Sequence, residues 1–324
     1  MINLQRILCP VDLSEGSILA LRFANAIASR YKASLRIIHV LENPHADIPG
    51  AKTGAFTFGE AMGLYKEERQ EEIFESLRKK GSPVSDIEII FKEGIPYEEV
   101  AKTASDLKSD MIIMATCTSG SHGLLAGCTT ERVVRFAPCP VLSVRTDVGS
   151  KHREKISELE DLMDMHPDAS RKILLPTDFS EHSAIASNYA FSLAIEYKAV
   201  VIILHVIESV AEISLMTGVD MPGYNAASTY CNDLANIARR QVRDICDKAS
   251  KLGITTEDRV IYGNPRHEIS NIAKTEPIDM IIIGTHGRRG FSRFIHGSVA
   301  EAVIRHASCS VLSVKNLEHD FLAS

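Results

Sequence analysis

Short, unbroken apolar runs alternate along this chain with longer stretches whose apolar residues return every third or fourth position. In the second half, KILLPT (Lys172–Thr177) is a brief apolar run bounded by Pro176 and Asp178, and it reads as a strand. After it, Ile185, Tyr189, Leu193 and Tyr197 recur every four residues, which predicts an amphipathic helix. VIILHVI (Val201–Ile207) is a second, continuously apolar strand. Beyond a loop, Leu234, Ala238, Val242, Ile245, Ala249 and Leu252 share one helical face, and Gly253 ends that helix. Arg259–Tyr262 predicts a third strand, and Pro265–Lys274 a helix with proline in its first turn. Met280–Ile283 is a fourth strand, Val299–His306 a fourth helix and Ser310–Val314 a fifth strand.

The first half repeats this pattern with a slip of only a few residues. RILCPVDLSEGS (Arg6–Ser17) matches KILLPTDFSEHS (Lys172–Ser183), and LRIIHVLE (Leu35–Glu42) matches VIILHVIE (Val201–Glu208). DMIIMAT (Asp110–Thr116) matches DMIIIGT (Asp279–Thr285), and APCPVLSV (Ala137–Val144) matches ASCSVLSV (Ala307–Val314). Leu19, Phe23, Ile27 and Tyr31 stand for the first helix stripe. A period of about 170 residues is far too long for a solenoid and marks a duplicated domain. The expected organisation is a domain over 1–146, a linker over 147–170, a second domain over 171–316 and a tail over 317–324. In the linker, Ile156, Leu159 and Leu162 fall on one helical face, which fits either a surface linker helix or a regulatory, partner-binding one.

Strands that are apolar throughout are buried on both faces, as in a parallel sheet covered by helices. The alternating order of strands and helices says the same. Each half is therefore expected to be a doubly wound α/β domain with a roughly five-stranded parallel sheet. In such sheets ligands sit beyond the carboxyl ends of the strands, where the strand order reverses. The loops after the first and fourth strands of each copy are thus the places to look for chemistry.

Composition narrows the function. A chain of 324 residues with 45% apolar and 24% charged residues is that of a soluble globular protein. A net charge of −6 argues against nucleic acid as a partner. No apolar run is long enough to span a bilayer, and MINLQRILCPVD does not read as a signal peptide. The seven cysteines are odd in number, form no CxxC pair, and Cys9, Cys246 and Cys309 are expected to be small buried side chains. That usage suits a reducing, cytoplasmic location. Cys117, Cys128 and His122 match no zinc spacing, so no metal site is expected of them.

After the fourth strand of the second copy the chain reads GTHGRRGFSRFIHGSVAE, Gly284 to Glu301. Gly284, Gly287, Gly297 and Ser298 punctuate a loop that runs from a strand into a helix. Unpaired N–H groups at a helix start hold anions, and glycines let backbone approach a phosphate closely. Arg288, Arg289 and Arg293 add cations suited to phosphate geometry, and His286 lies in the same loop. Two structural readings stand beside this one. Gly284 also suits a plain strand end, and Ser298 with Glu301 forms an S-x-x-E capping box. Asp178 has a double reading too, because DFSEHS is equally a helix start capped by Ser180.

The Gly-x2-Gly-x9-Gly-Ser loop, the Pro-Thr-Asp ending the first strand and the closing VLSV strand resemble the universal stress protein family. The resemblance covers nearly all of both halves except the linker. It implies two flavodoxin-like domains packed as a pseudo-dimer through their last strands, and ATP as the ligand. It implies that Asp178 and the backbone of Val206 meet the ribose and adenine, while Pro176 and Thr177 line the pocket. Gly284, Gly287, Gly297, Ser298 and Val299 would meet the phosphates, with Mg²⁺ carried by the phosphates. His286, Arg288 and Arg289 complete the candidate set.

The first copy departs from this pattern. Ala115 and Thr118 stand for the first two glycines and Cys128 for Ser298, and the loop is one residue shorter with no lysine or arginine before Glu131. Asp12, Gly127 and Glu131 are retained. A β-carbon at Ala115 is expected to strain a glycine-type backbone and keep phosphate away. The expected function is an ATP-binding stress or signalling protein that works as a nucleotide-dependent switch or scaffold, with the nucleotide in the second half. A slow ATPase or nucleotide-using transferase is one alternative, with Asp178 or His286 positioning water. An interaction module with a vestigial site is the other. No catalytic residue stands out by motif. The loops Asn43–Gly63 and Ser209–Tyr230 read equally as lids or as plain connections. A homodimer and a downstream protein partner are left open by the sequence.

Overall fold

A computed structural model gives the architecture. It describes residues 2–44, 48, 57–78, 86–116, 129–146, 171–208, 224–285 and 298–315. These fall into two compact units. In the first, β1 (Arg6–Pro10), α1 (Glu15–Tyr31), β2 (Ser34–Leu41), α2 (Phe58–Arg78), β3 (Ile87–Glu93), α3 (Pro96–Asp106), β4 (Met111–Ala115), α4 (Thr129–Phe136) and β5 (Val141–Val144) follow one another. The second runs β6 (Lys172–Pro176), α5 (Glu181–Tyr197), β7 (Val200–Ile207), α6 (Tyr224–Lys251), β8 (Thr256–Tyr262), α7 (Pro265–Thr275), β9 (Met280–Gly284), α8 (Ser298–His306) and β10 (Ser310–Val314). The linker and the tail lie outside the described residues.

Each unit has five parallel strands. Their order is β3-β2-β1-β4-β5 in the first and β8-β7-β6-β9-β10 in the second. Register is the same in both: Leu8 lies opposite Arg36 and Ile112, and Leu174 lies opposite Ile202 and Ile281. The chain leaves the first strand toward one edge and returns to its other side for the fourth. The order therefore reverses between β1 and β4, and between β6 and β9. The central strands carry the core: Ile7, Leu8, Ile112 and Ile113 in one unit, Leu174, Ile202, Ile203 and Ile281 in the other, all fully buried. The expectation of doubly wound parallel sheets is correct.

Two helix faces differ from their sequence reading. Of the stripe expected on α5, only Tyr189 is buried, and Ile185, Leu193 and Tyr197 are half-buried. Its buried residues are mostly small, Ser183, Ala186, Ser187, Ala190 and Ala194, with Tyr189 and Phe191 beside them, and the helix packs against β6, β9 and β7. Small side chains let a helix lie close over the strands beneath it. On α6, Leu252 is 56% exposed although its spacing puts it on the apolar face. The helix ends at Lys251, so Leu252 belongs to the turn, and Ile254 takes the buried place after Gly253. Cys9 is fully buried, whereas Cys246 and Cys309 are half-buried.

The outer strand of the second unit is held by charge. Arg259 on β8 pairs with Glu276 and with Glu257 (2.8 Å), and Glu257 also meets Lys172 on β6 (3.3 Å). The hydrogen bonds from Arg259 hold both glutamates below the usual carboxylate range. Carboxyls lowered in this way stabilise the fold above their unfolded pKa, about 4.3, and lose that contribution as pH falls through the folded value. Replacing Arg259 with Met should therefore cost roughly 1 kcal/mol or less near neutrality. The gap between thermal melts of the two proteins should narrow as pH falls below about 4.3, and a constant gap would contradict this account.

Candidate functional site

The crevice at the reversal between β6 and β9 is built from one turn. Thr177 leaves β6, Phe179 adopts a left-handed backbone (φ 60°), and Ser180 caps α5 by accepting from the N–H of Ser183 at 3.3 Å. The Asp178 carboxylate accepts from the Ser180 N–H at 3.0 Å, which fixes the turn. Of the two readings of DFSEHS, Ser180 is thus the cap and Asp178 orders the turn before it. The first unit repeats the arrangement. Leu13 has φ 65°, Ser14 caps α1, and Asp12 accepts from the Ser14 N–H at 3.0 Å. Burial works to raise the Asp12 carboxyl, but the Ser14 and Ser17 hydroxyls and the Ser14 N–H hold it below its ordinary value. A bulky side chain at positive φ carries strain, and its presence in both units at one position shows that the turn requires it.

A histidine secures each turn from the second strand. Nδ1 of His205 donates to the Thr177 carbonyl at 2.8 Å, and Nδ1 of His39 donates to the Val11 carbonyl at 2.7 Å. A carbonyl only accepts, so the proton sits on Nδ1 in both rings. The Nε2 of His39 then faces the Tyr65 hydroxyl at 3.0 Å. The Phe179 ring lies over His205 with centroids 4.3 Å apart and planes 30° apart. Repetition of His-Val in both halves is the signal for this role.

The ladder explains why Val206 matters. Val200 N–H bonds to Arg171, and the Leu204 carbonyl accepts from Thr177, so even-numbered residues of β7 turn toward β6. Odd-numbered ones turn toward β8, as the bond from Gly263 N–H to the Ile207 carbonyl shows. Val206 therefore directs its N–H and C=O toward β6, but past Pro176, where that strand has ended. Among the described residues no strand stands opposite them. Val40 occupies the same position in the first unit, since Ile38 accepts from Val11 and Leu41 from Gly94. Buried backbone groups need a partner, and here a ligand edge can provide it.

Gly284 closes the other wall as the last residue of β9. A Cβ there would lie 2.8 Å from the His182 carbonyl oxygen, 2.9 Å from its carbon and 3.1 Å from the Ser183 nitrogen. Its φ is not in the left-handed region, so the requirement is for space and not for an unusual backbone. The expected backbone strain at Ala115 is accordingly absent: Ala115 has no positive φ either. In the first unit the glycine sits on the helix side of the crossing. Gly16 stands where the second unit has His182, and a Cβ on it would meet the Thr146 hydroxyl at 2.9 Å and the Ala115 methyl at 3.7 Å. The Thr130 hydroxyl of α4 also donates to the Ala115 carbonyl at 2.8 Å, a bond that Ala300, its counterpart on α8, has no group to make.

The structure thus brings Pro176, Thr177, Asp178, Val206 and Gly284 to one end of one sheet. Pro176 and Thr177 are buried, and Asp178 is half-buried. Ser298 is exposed and Val299 half-buried in the first turn of α8, which follows β9. His286, Gly287, Arg288, Arg289 and Gly297 lie outside the described residues, as do Cys117, His122 and Cys128. Phe179 and His205 belong to the site as well. Sequence reasoning passes over Phe179 because positive φ is expected of glycine or asparagine.

The chain matches the universal stress protein family over residues 3–145 and again over 169–315. The protein belongs to the universal stress protein family. A universal stress protein of Mycobacterium tuberculosis is 23% identical to it, covering 94% of this chain and 95% of its own. A universal stress protein of Methanocaldococcus jannaschii is 35% identical over 156 residues, which is 45% of this chain and 94% of the relative. Among solved structures, a universal stress protein from Archaeoglobus fulgidus shares the fold with a TM-score of 0.63 at 19% identity, covering 96% of both chains. No described helix is long and apolar enough to cross a membrane.

The histidine anchors lead to a measurable expectation. Replacing His39 or His205 with Leu leaves a strand-end carbonyl without its donor, at a cost of about 1–3 kcal/mol. Urea unfolding should show this loss for each variant, and a loss below a few tenths would contradict the anchoring role.

Proposed function

We propose that this protein is an ATP-binding member of its family that acts as a nucleotide-dependent switch or scaffold in stress signalling, with the nucleotide held by the second unit. The observation that carries the reading is the backbone of Val206, whose donor and acceptor face the crevice past the end of β6. Adenine presents a donor beside an acceptor on one edge and so complements such a pair. Asp178, held in the neighbouring turn, offers a carboxylate to the ribose hydroxyls. Phosphates then extend toward the start of α8, where Ser298 and Val299 supply helix N-terminal N–H groups. Gly287, Gly297, His286, Arg288 and Arg289 complete that end by their place in the sequence. Mg²⁺ arrives with the phosphates, which are its main ligands.

Placement in the second unit rests on the contrast between the crossings. In the first unit the Ala115 methyl, the Thr130 hydroxyl and the Thr146 hydroxyl stand around the corresponding strand end. That loop also lacks cations between Ala115 and Glu131.

Small molecules released by denaturing the gently purified full chain test the reading by mass spectrometry. ATP or AMP at about one per chain is expected on the stoichiometry of a single competent site. Calorimetry should then give ATP binding that survives Asp12→Ala and disappears in Asp178→Ala. Binding lost in Asp12→Ala instead would move the site to the first unit, and no binding at all would end the proposal. Sustained hydrolysis abolished by Asp178→Ala would replace the switch with an ATPase.

A further inference from the structure

We infer that Gly284 is a positioning residue, its missing Cβ making room for a helix and not for phosphate: it lets the first turn of α5 seat against the end of β9, and so places the turn that carries Asp178. This rests on the nucleotide reading of the site, but it is argued from packing alone. The space a Cβ would need at Gly284 is filled by the backbone of His182 and Ser183, at 2.8 to 3.1 Å. Those are main-chain atoms of a helix, which no side-chain rotation moves aside. A glycine facing a ligand has open space on that side, and this one faces a helix.

The displacement has a path to the ligand turn. Ser183 holds that turn by three bonds, and a fourth ties Thr177 to Phe179. Its N–H donates to the Ser180 hydroxyl at 3.3 Å, and its hydroxyl donates to the Ser180 carbonyl at 2.9 Å. The Thr177 hydroxyl donates to Ser183 Oγ at 3.1 Å and accepts from the Phe179 N–H at 3.1 Å. Ser180 in turn holds Asp178 through its N–H at 3.0 Å. Moving Ser183 therefore moves Thr177, Ser180 and Asp178 together. The first unit lacks the Thr177-to-Ser183 bond, because Val11 stands where Thr177 would, and there the Ser17 hydroxyl, counterpart of Ser183, bonds to Asp12 instead. The crossing in each unit holds one glycine, on the strand in the second and on the helix in the first.

Calorimetry of the full chain with ATP and with adenosine, which has no phosphate, separates the two roles. If Gly284 positions the Asp178 turn, Gly284→Ala weakens both ligands by a similar factor, roughly tenfold or more for a shift approaching 1 Å. If it contacts phosphate, ATP weakens and adenosine does not, and that result overturns the inference. Ser298→Ala, at the proposed phosphate end, is the contrast: it should weaken ATP and spare adenosine. Hydrogen exchange on the nucleotide-free chain gives an independent reading. Gly284→Ala should speed exchange at the amides of Ser183 and Ala184, and unchanged protection there also overturns the inference. A variant that fails to fold supports packing, since alanine at a position that only faces ligand leaves the empty protein intact. Should the wild type bind neither ligand, the nucleotide reading fails, and hydrogen exchange alone decides the role of Gly284.

Discussion

Where α5 begins, its backbone runs so close to the end of β9 that one methyl group has no room. This contact follows from the topology. A doubly wound sheet reverses its strand order between the first and fourth strands, and the first helix must start over that gap. The closer it starts, the smaller the residues at the crossing must be, and Ser183, Ala186 and Ser187 are the buried residues of its first turns. Helix seating, strand end and the Asp178 turn are thus one packing problem with one glycine at its centre.

The turn itself stores a cost that its neighbours offset. Phe179 and Leu13 sit at positive φ without the freedom of glycine. The second strand answers from the side, with His205 and His39 each donating to the carbonyl that ends the first strand. The Phe179 ring rests on His205 and on the cluster of Ile207, Ala235 and Ala238. Strain at the turn is therefore supported by the contacts of Phe179, while the carboxylate of Asp178 is fixed by the Ser180 N–H. A rigid turn of this kind holds its acceptor in place before a ligand arrives, which lowers the ordering cost of binding.

Much of the fold is legible in the amino-acid order, because a strand buried on both faces has to be apolar throughout and the duplication shows every element twice. The reversal of strand order and the Asp turn beside it follow from that pattern. Other features depend on distance and are not legible. A glycine at a strand end is equally compatible with a phosphate or a helix beside it, and only the approach of His182 decides. The apolar stripe of α5 misleads because spacing records hydrophobicity, whereas close helix–sheet packing selects for small volume. Leu252 has the right spacing for a core position but lies past the helix end at Lys251, where the periodicity no longer applies. The parity of β7 is readable only once its two neighbouring strands are known.

The two units share more than their sequence contrast implies. Asp12 and Asp178 hold the same turn, Val40 and Val206 aim the same backbone pair past the strand end, and His39 and His205 make the same anchor. The crossing differs between them. Thr177 becomes Val11, so the hydroxyl that ties strand end to helix is gone, and the glycine moves from Gly284 to Gly16. These changes are coupled. A strand end that carries a methyl group, as Ala115 does, needs room on the helix, and Gly16 supplies it there. Divergence after duplication has thus altered a matched set of residues on both sides of one contact while the turn and its anchor were kept, as expected when a close-packed interface accommodates only complementary changes.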